Sequence, residues 1–274
     1  MTFSPQINNA PGLASQKMIL VILLAEFLVF IISGVSFSFL HGAVFIHYGV
    51  DIFFGLLYFA SIPQFIVSHQ WLAVAADVSI VSQLLLLIRN PLRNRLAVWL
   101  MLLLFLYYVT LMGYLNHRNF HTGFVLVLFP FLFAAAKSRY FAYEATRYFL
   151  LFFYASAAFF KLWYGAFNHA DHLSISVADQ FAPYIVESNI GIRTAFNEYL
   201  VNTPGVGFVF LLLSFVAELV AVAGFFTKRF DKLIGISLLA FHVANWFVMD
   251  LAPFGQIAFI SLLFVQKAFV DKQD

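Results

Sequence analysis

The chain has 274 residues, of which 63% are hydrophobic and only 10% are charged, with a formal net charge of +2. Soluble globular proteins carry about 25% charged residues, so this composition excludes that class and indicates a polytopic helical membrane protein. The sequence has no cysteine, which excludes disulfides, thiolate metal sites and cysteine nucleophiles.

Nine apolar segments predict an all-α fold, a polytopic transmembrane helical bundle with eight or nine spans. They lie at about 18–39, 51–67, 71–88, 96–115, 121–136, 146–165, 206–226, 233–250 and 253–267. The count is eight if the segment 51–67, which carries Asp51 and Pro63, only dips into the membrane. The amino terminus is then cytoplasmic, whereas nine spans place it outside.

We predict a single integral-membrane domain over residues 1–274. Residues 1–17 are polar and lack the basic start and cleavage site of a signal peptide, so we expect a retained first helix. The longest connection, residues 166–205, is predicted to lie at the outer face and to hold a surface helix at about 191–201.

Basic residues on alternate connections predict the topology, because lysine and arginine favour cytoplasmic loops. The clusters are Arg89, Arg93 and Arg95; Lys137, Arg139 and Arg147; Lys228, Arg229 and Lys232; and Lys267 and Lys272. The turn 116–120, the loop 166–205 and the turn near 250 then face the opposite side. We expect a bacterial inner-membrane protein whose active face is periplasmic.

Lys161 interrupts the apolar stretch from Tyr148 to Gly165. A lysine at the centre of a bilayer costs roughly 2.5–3.5 kcal/mol on insertion scales, and less near a helix end where it can extend to the interface. Two interpretations follow. Lys161 is a lysine that reaches the interface, or it is a base held in an apolar pocket.

The predicted topology places further polar side chains in the outer half of the membrane. They are Asn116, His117, Glu218, His242 and Asn245. Because hydrocarbon offers no hydrogen-bond partners, such groups face the bundle interior and pair with one another. A shared outward-opening cavity explains this arrangement, and so do interhelical hydrogen bonds that only hold the bundle together.

Two pairs of histidines also fall near the outer face. His117 and His121 are four residues apart, and His169 and His172 are three apart. These pairs resemble the histidine boxes of membrane di-iron enzymes, in which imidazoles hold iron. Such sites need more histidines than this face provides, so we expect no metal and keep a di-iron hydroxylase as a minor alternative.

Four short motifs, taken together, resemble the HTTM (horizontally transferred transmembrane) family, whose best-known member is the vitamin K-dependent γ-carboxylase. They are YLNHRNF at 114–120, SAAFFKL at 156–162, FVAELVAVAG at 215–224 and LLAFHVANWF at 238–247. Their order and spacing are similar to those of the family, and the resemblance covers about residues 90–267.

The resemblance implies site residues and a cofactor. By position, Lys161 corresponds to the lysine that deprotonates reduced vitamin K in the carboxylase, and His117 to a histidine near the reacting centre. Asn116, Glu218, His242 and Asn245 correspond to supporting residues. A reduced quinone is the implied cofactor, and a carboxylase- or oxygenase-like membrane enzyme is the implied activity.

The sequence also departs from the carboxylase. Phe160 stands where the carboxylase has a second lysine, and the chain has no large lumenal domain. Carboxylation of protein glutamate is therefore not implied.

Our leading hypothesis is a quinol- or lipid-dependent membrane enzyme that modifies an exported peptide. The alternative is a non-catalytic accessory subunit of a larger membrane complex, DoxX-like or a peptide-maturation partner. We expect the bilayer, an exported peptide or other membrane subunits as partners, and no nucleic acid.

Overall fold

The computed structural model describes residues 13–46, 52–115, 127–133, 136–186, 191–249 and 254–265. About 85% of these residues are helical, and none of them is in a β-strand. Within the described ranges, five helical segments are long and apolar enough to cross a membrane. They are Gln16–Leu40, Gln70–Arg89, Asn94–Tyr114, Pro204–Phe226 and Asp231–Met249. The prediction of a helical, membrane-embedded protein is confirmed, whereas eight or nine spans stay a prediction.

The α-helices are numbered along the chain. The earlier ones are α1 (Leu13–Ile32), α2 (Ile52–Phe59), α3 (Ile62–Ser68), α4 (Gln70–Arg89), α5 (Asn94–Leu115) and α6 (Ala136–Trp163). The later ones are α7 (His172–Val186), α8 (Ile192–Asn202), α9 (Pro204–Leu219), α10 (Ala223–Phe226), α11 (Asp231–Met249) and α12 (Phe254–Ile260).

The described residues form two compact units. The first contains those up to Thr146 and those within 253–262. The second contains those within 147–252 and 263–267. Because the boundary falls between Thr146 and Arg147, helix α6 contributes residues to both units.

The core of the first unit is built around Tyr107 of α5, which is fully buried. Phe27 and Phe37 meet its ring edge-on, with ring centroids 5.4 and 5.2 Å away. Its hydroxyl donates a hydrogen bond of 2.7 Å to the carbonyl of Val35. A buried tyrosine hydroxyl needs such a partner, because an unpaired polar group in an apolar core is costly.

The first apolar segment is broken rather than continuous. Helix α1 ends at Ile32, Gly34 adopts a left-handed conformation with φ +73°, and a 3₁₀ helix follows at Phe37–Leu40. The backbone amides of Phe37 and Ser38 donate to the buried carboxylate of Asp77, at 3.1 and 2.9 Å. Asp77 of α4 therefore supplies the acceptors that amides at a helix start require.

The predicted segment 51–67 is also divided, into α2 and α3. Ser61 lies between them in the left-handed region, with φ 57°, and Pro63 occupies the first turn of α3. Helices of 8 and 7 residues extend only about 10–12 Å, so neither crosses a bilayer by itself.

In the second unit, α6 buries one face. The side chains at Arg147, Leu151, Tyr154 and Ala158 are buried and that of Lys161 is partly buried, at intervals of three or four residues. The opposite face is exposed and rich in aromatic residues, among them Phe152, Phe159, Phe160 and Trp163. This pattern is typical of a helix with one side in a bundle and the other toward lipid.

Two contacts from α6 show the direction in which the neighbouring helix α11 runs. Arg147 bonds to Asp231 at the start of α11 and to the carbonyl of Gly224. Tyr154 contacts His242 further along α11. Helices α6 and α11 therefore run in the same direction.

The connection 166–205 contains two helices, of which the sequence predicted one. Helix α8 agrees with the helix expected at about 191–201, whereas α7 was not predicted. Arg193 of α8 donates to the carbonyls of Trp246 and Phe247, at 2.7 and 2.8 Å, and so binds the carboxyl end of α11. Such carbonyls lack partners within their own helix, and a guanidinium satisfies them.

Arg147 and Asp231 form a buried ion pair, with Nη2–Oδ1 at 2.5 Å and side-chain exposures of 3% and 6%. We predict that Arg147→Met destabilises the protein by about 3–5 kcal/mol, because it leaves the buried carboxylate unpaired. Thermal unfolding in detergent measures the effect.

Arg229→Met, at an exposed position, is the control and should leave the unfolding midpoint unchanged. A double variant Arg147→Met/Asp231→Leu should recover much of the loss. Equal midpoints for the wild type and Arg147→Met would contradict the pairing.

Candidate functional site

Lys161 lies in the last turn of α6, two residues before the helix ends at Trp163. Its ammonium donates to the Oγ of Ser214 at 2.6 Å and to the Oε2 of Glu218 at 2.7 Å. Both acceptors belong to α9, and their spacing of four residues places them on one helix face. The predicted site residues Lys161 and Glu218 are therefore brought into direct contact.

The environment of this pair is asymmetric. The Glu218 side chain is only 5% exposed, whereas that of Lys161 is 24% exposed. The Lys161 Nζ also lies 5.6 Å from the ring centre of Phe241, within the range of a cation–π contact. The carboxylate is thus held in the interior, and the amine is the member of the pair that remains accessible.

His242 is placed elsewhere in the same unit. Its Nε2 lies 2.5 Å from the hydroxyl of Tyr154, and both residues are buried, at 5% and 1% exposure. Lys161 bonds to Ser214 and Glu218 rather than to His242 or Asn245. Of the polar residues expected to share one site, Lys161 and Glu218 pair with each other, whereas His242 pairs with Tyr154.

A cavity of about 420 Å³ lies between α9 and α11, with Leu173 of α7 also in its wall. This volume is within the range of small-molecule sites, and the lining is mostly apolar. Ala217, Ala240 and Ala244 contribute small side chains that leave the space open. Ser214 and Asn245 are among the polar residues of the wall.

The cavity is long and open to the side. Its lining runs from Phe210 of α9 to Val220, just after the end of that helix, which is about 15 Å at the rise of an α-helix. Leu213 and Val216 line it and are themselves 60% and 49% exposed. The exposed side of the cavity is thus formed by apolar side chains of a segment that is long and apolar enough to cross a membrane.

Ser214 and Phe241 connect the cavity to Lys161. Both residues line the cavity, while Ser214 accepts a hydrogen bond from Nζ and the ring of Phe241 lies beside it. The Lys161 amine is therefore close to the cavity wall. The arrangement can exchange a proton between the lysine and a molecule in an apolar environment.

Other predicted residues do not join this site. Asn116, His117 and His121 lie outside the described residues. His169 and His172 are exposed near the start of α7. In the part of the chain that the structure describes, no group of three or more histidine, aspartate or glutamate residues is placed to hold a metal ion.

The chain was compared with protein-family models, curated proteins and solved structures. No family model, curated protein or solved structure matches this chain. The resemblance to the HTTM family therefore stays a prediction that these comparisons neither support nor contradict.

Sequence reasoning missed Tyr154 and Ser214, which the structure shows as partners of His242 and Lys161. A usable signal was present. Arg147, Tyr154 and Lys161 are seven residues apart, so they return to nearly the same face of α6. Ser214 lies four residues before Glu218, a spacing that places both side chains on one face of their helix.

The pair Lys161–Glu218 predicts non-additive mutations. Lys161→Met should lower the unfolding midpoint, because Glu218 is left buried without its cation. Lys161→Met/Glu218→Gln should unfold at a higher temperature than Lys161→Met alone, since the double variant buries no charge. Thermal unfolding of the wild type, both single variants and the double variant tests this, and strictly additive changes would contradict the pairing.

Proposed function

We propose that the protein is an integral membrane enzyme of the HTTM type, in which Lys161 acts as a base on a quinol or a similar lipid-soluble substrate. In this proposal the chain has eight or nine spans in a bacterial inner membrane, and the site opens toward the periplasm. The observation that carries the proposal is the position of the Lys161 amine beside an apolar cavity that is open to the side.

The residues at the cavity fit a quinol. Phe241 and the aliphatic side chains supply apolar walls, and the hydroxyl of Ser214 and the carboxamide of Asn245 supply groups that bond ring oxygens. When bound, a quinol supplies ionisable hydroxyl groups and two electrons. Lys161 is the side chain placed to take a proton from such a hydroxyl.

Glu218 prepares Lys161 for this role. An ammonium cannot accept a proton, so the amine must first lose one. Transfer of that proton from Nζ to the adjacent Oε2 of Glu218 yields a neutral amine and a neutral carboxylic acid. Neutral groups are favoured where burial removes water, and the short contact between the two atoms allows the transfer.

The exposed side of the site fits a second partner. In this proposal an exported peptide approaches from the outer face and is modified there. Helices α7 and α8 lie at that end, since Arg193 of α8 binds the final carbonyls of α11. Their position beside the cavity end that includes Leu173 and Met249 supports this role.

A non-catalytic accessory subunit is the second candidate. The observation that favours it is that Lys161, Ser214 and Glu218 satisfy one another without any ligand. Interhelical polar contacts of this type stabilise membrane bundles. In that case the aromatic outer face of α6 contacts other membrane subunits.

Oxygen uptake with reduced quinones separates the two candidates. We expect the purified wild type to consume oxygen with at least one quinol, and Lys161→Ala to lose this activity by a factor on the order of 10² or more, as expected for removal of a general base. Lys232→Ala, which removes an exposed lysine of α11, is the control and should retain the activity.

Loss of activity counts only if the variant is folded, so thermal unfolding and solvent extracts for bound quinone accompany the assay. No uptake and no bound quinone in the folded wild type would overturn the enzymatic proposal and favour the accessory subunit.

The cavity itself makes a second test. Ala244→Phe should fill the space between α9 and α11 and raise the KM for a quinol several-fold, because the ring takes volume that the ligand needs. Val243→Phe places the same ring at the neighbouring exposed position of α11 and should not change KM. Equal effects of the two variants would show that the cavity does not bind the substrate.

A further inference from the structure

Helix α8 packs against one end of the cavity. Leu200 of α8 and Val248 of α11 belong to one buried apolar cluster. Val248 also lines the cavity, and so do three residues that pack against this cluster, Leu173, Phe210 and Met249. A movement of α8 away from the cluster would therefore uncover the cavity at this end.

Two polar contacts hold α8 in this position, one near each end of the helix. Near its start, the guanidinium of Arg193 donates to the carbonyls of Trp246 and Phe247 on α11, at 2.7 and 2.8 Å. Near its other end, the hydroxyl of Ser174 on α7 donates to the carbonyl of Leu200 at 2.7 Å. The Arg193 contact is the stronger attachment, because a charged donor forms stronger hydrogen bonds than a neutral one.

Asn197, in the middle of α8, opposes this attachment. Its side chain is only 1% exposed, and neither Oδ1 nor Nδ2 has a hydrogen-bond partner within the described part of the chain. Leu200 and Val201 follow it by three and four residues, so the carboxamide shares the packed face of the helix. A carboxamide buried without a partner costs free energy, which is recovered when the group reaches water.

The two residues therefore act in opposite directions on the same helix. A helix that only supported the bundle would be expected to pair its buried polar groups, as the large majority of such groups in native proteins are paired. The Arg193 contacts also lie at exposed positions, where water replaces them when the helix moves. The closed position is thus held from the surface and is unfavourable for the buried carboxamide.

We propose that α8 is a gate, which closes one end of the cavity in the structure and opens to admit a polar second substrate. Arg193 stabilises the closed state, and Asn197 destabilises it. This inference rests on the proposed function, because the cavity is the substrate site of that proposal, and it adds the regulation of access to the site.

The absence of cysteine from the sequence allows gate opening to be measured directly. Val248→Cys places a thiol at a position that is 5% exposed, between α8 and the cavity. The protein in lipid nanodiscs is treated with a charged, water-soluble thiol reagent. Since a charged molecule does not enter a closed apolar cavity, the labelling rate reports the share of molecules in which α8 is open.

Arg193→Met and Asn197→Leu, each combined with Val248→Cys, should change this rate in opposite directions. We expect Arg193→Met to raise the rate about tenfold or more, because it removes the charged hydrogen bonds that hold the helix. Asn197→Leu should lower the rate about threefold or more, because closure then buries an apolar side chain of similar size. Glu198→Gln, at an exposed position of α8, is the matched control and should leave the rate unchanged.

Leu238→Cys separates gate opening from unfolding of the whole unit. Leu238 is fully buried on the same helix as Val248, and the described cavity wall does not include it. A thiol at this position should react more slowly than one at position 248, and Arg193→Met should not change its rate. Equal rates at the two positions in every variant would overturn the gate, since labelling would then require unfolding.

The two substitutions in α8 can also contradict the proposal. An unchanged rate in Arg193→Met would show that these hydrogen bonds do not hold the helix closed. Faster labelling in Asn197→Leu would show that the carboxamide stabilises the closed state. Either result overturns the gate as proposed.

The labelling experiment needs no substrate, so its failure is distinct from failure of the proposed function. The expected pattern of rates without quinol-dependent oxygen uptake would support the gate and overturn the proposed reaction. Oxygen uptake without this pattern would overturn the gate and leave the proposed function in place.

Discussion

The second unit of the structure depends on the pairing of polar groups along the buried face of α6. Arg147, Tyr154 and Lys161 each meet a polar partner, on α11 for the first two and on α9 for the third. A charge inside a membrane bundle has no solvent to stabilise it, so each one determines which helix lies beside it and in which register. The cavity exists because these contacts hold α9 and α11 in place while alanines leave the space between them empty.

Much of the fold could be predicted because apolar length is a strong signal in membrane proteins. The segments 71–88, 96–115 and 233–250 agree with α4, α5 and α11 to within two residues at each end. The prediction was weaker where a helix extends beyond the apolar stretch of the sequence. Helix α6 begins at Ala136, ten residues before the expected start, because its polar first turns continue the same helix outside the apolar stretch. Helix α7 was missed since it is short and amphipathic.

The site could be predicted in part for a similar reason. An ionisable residue in an apolar run is easy to recognise, so Lys161 and Glu218 were both found, and the structure joins them. Lys161 and Glu218 are far apart in the sequence. The residue pattern of one helix does not identify the helix that packs against it. The seven-residue spacing from Arg147 to Lys161 could place Tyr154 on the buried face of α6, but it could not identify His242 as the partner.

The sequence separation of these pairs has a consequence for how the protein is made. Arg147 precedes Asp231 by 84 residues, and Lys161 precedes Glu218 by 57. During synthesis, α6 therefore emerges before the residues that pair with its two cations, and neither cation has its partner at that stage. These two ion pairs can form only after α9 and the start of α11 have been made. The ion pairs that hold the second unit together are therefore completed late in its synthesis.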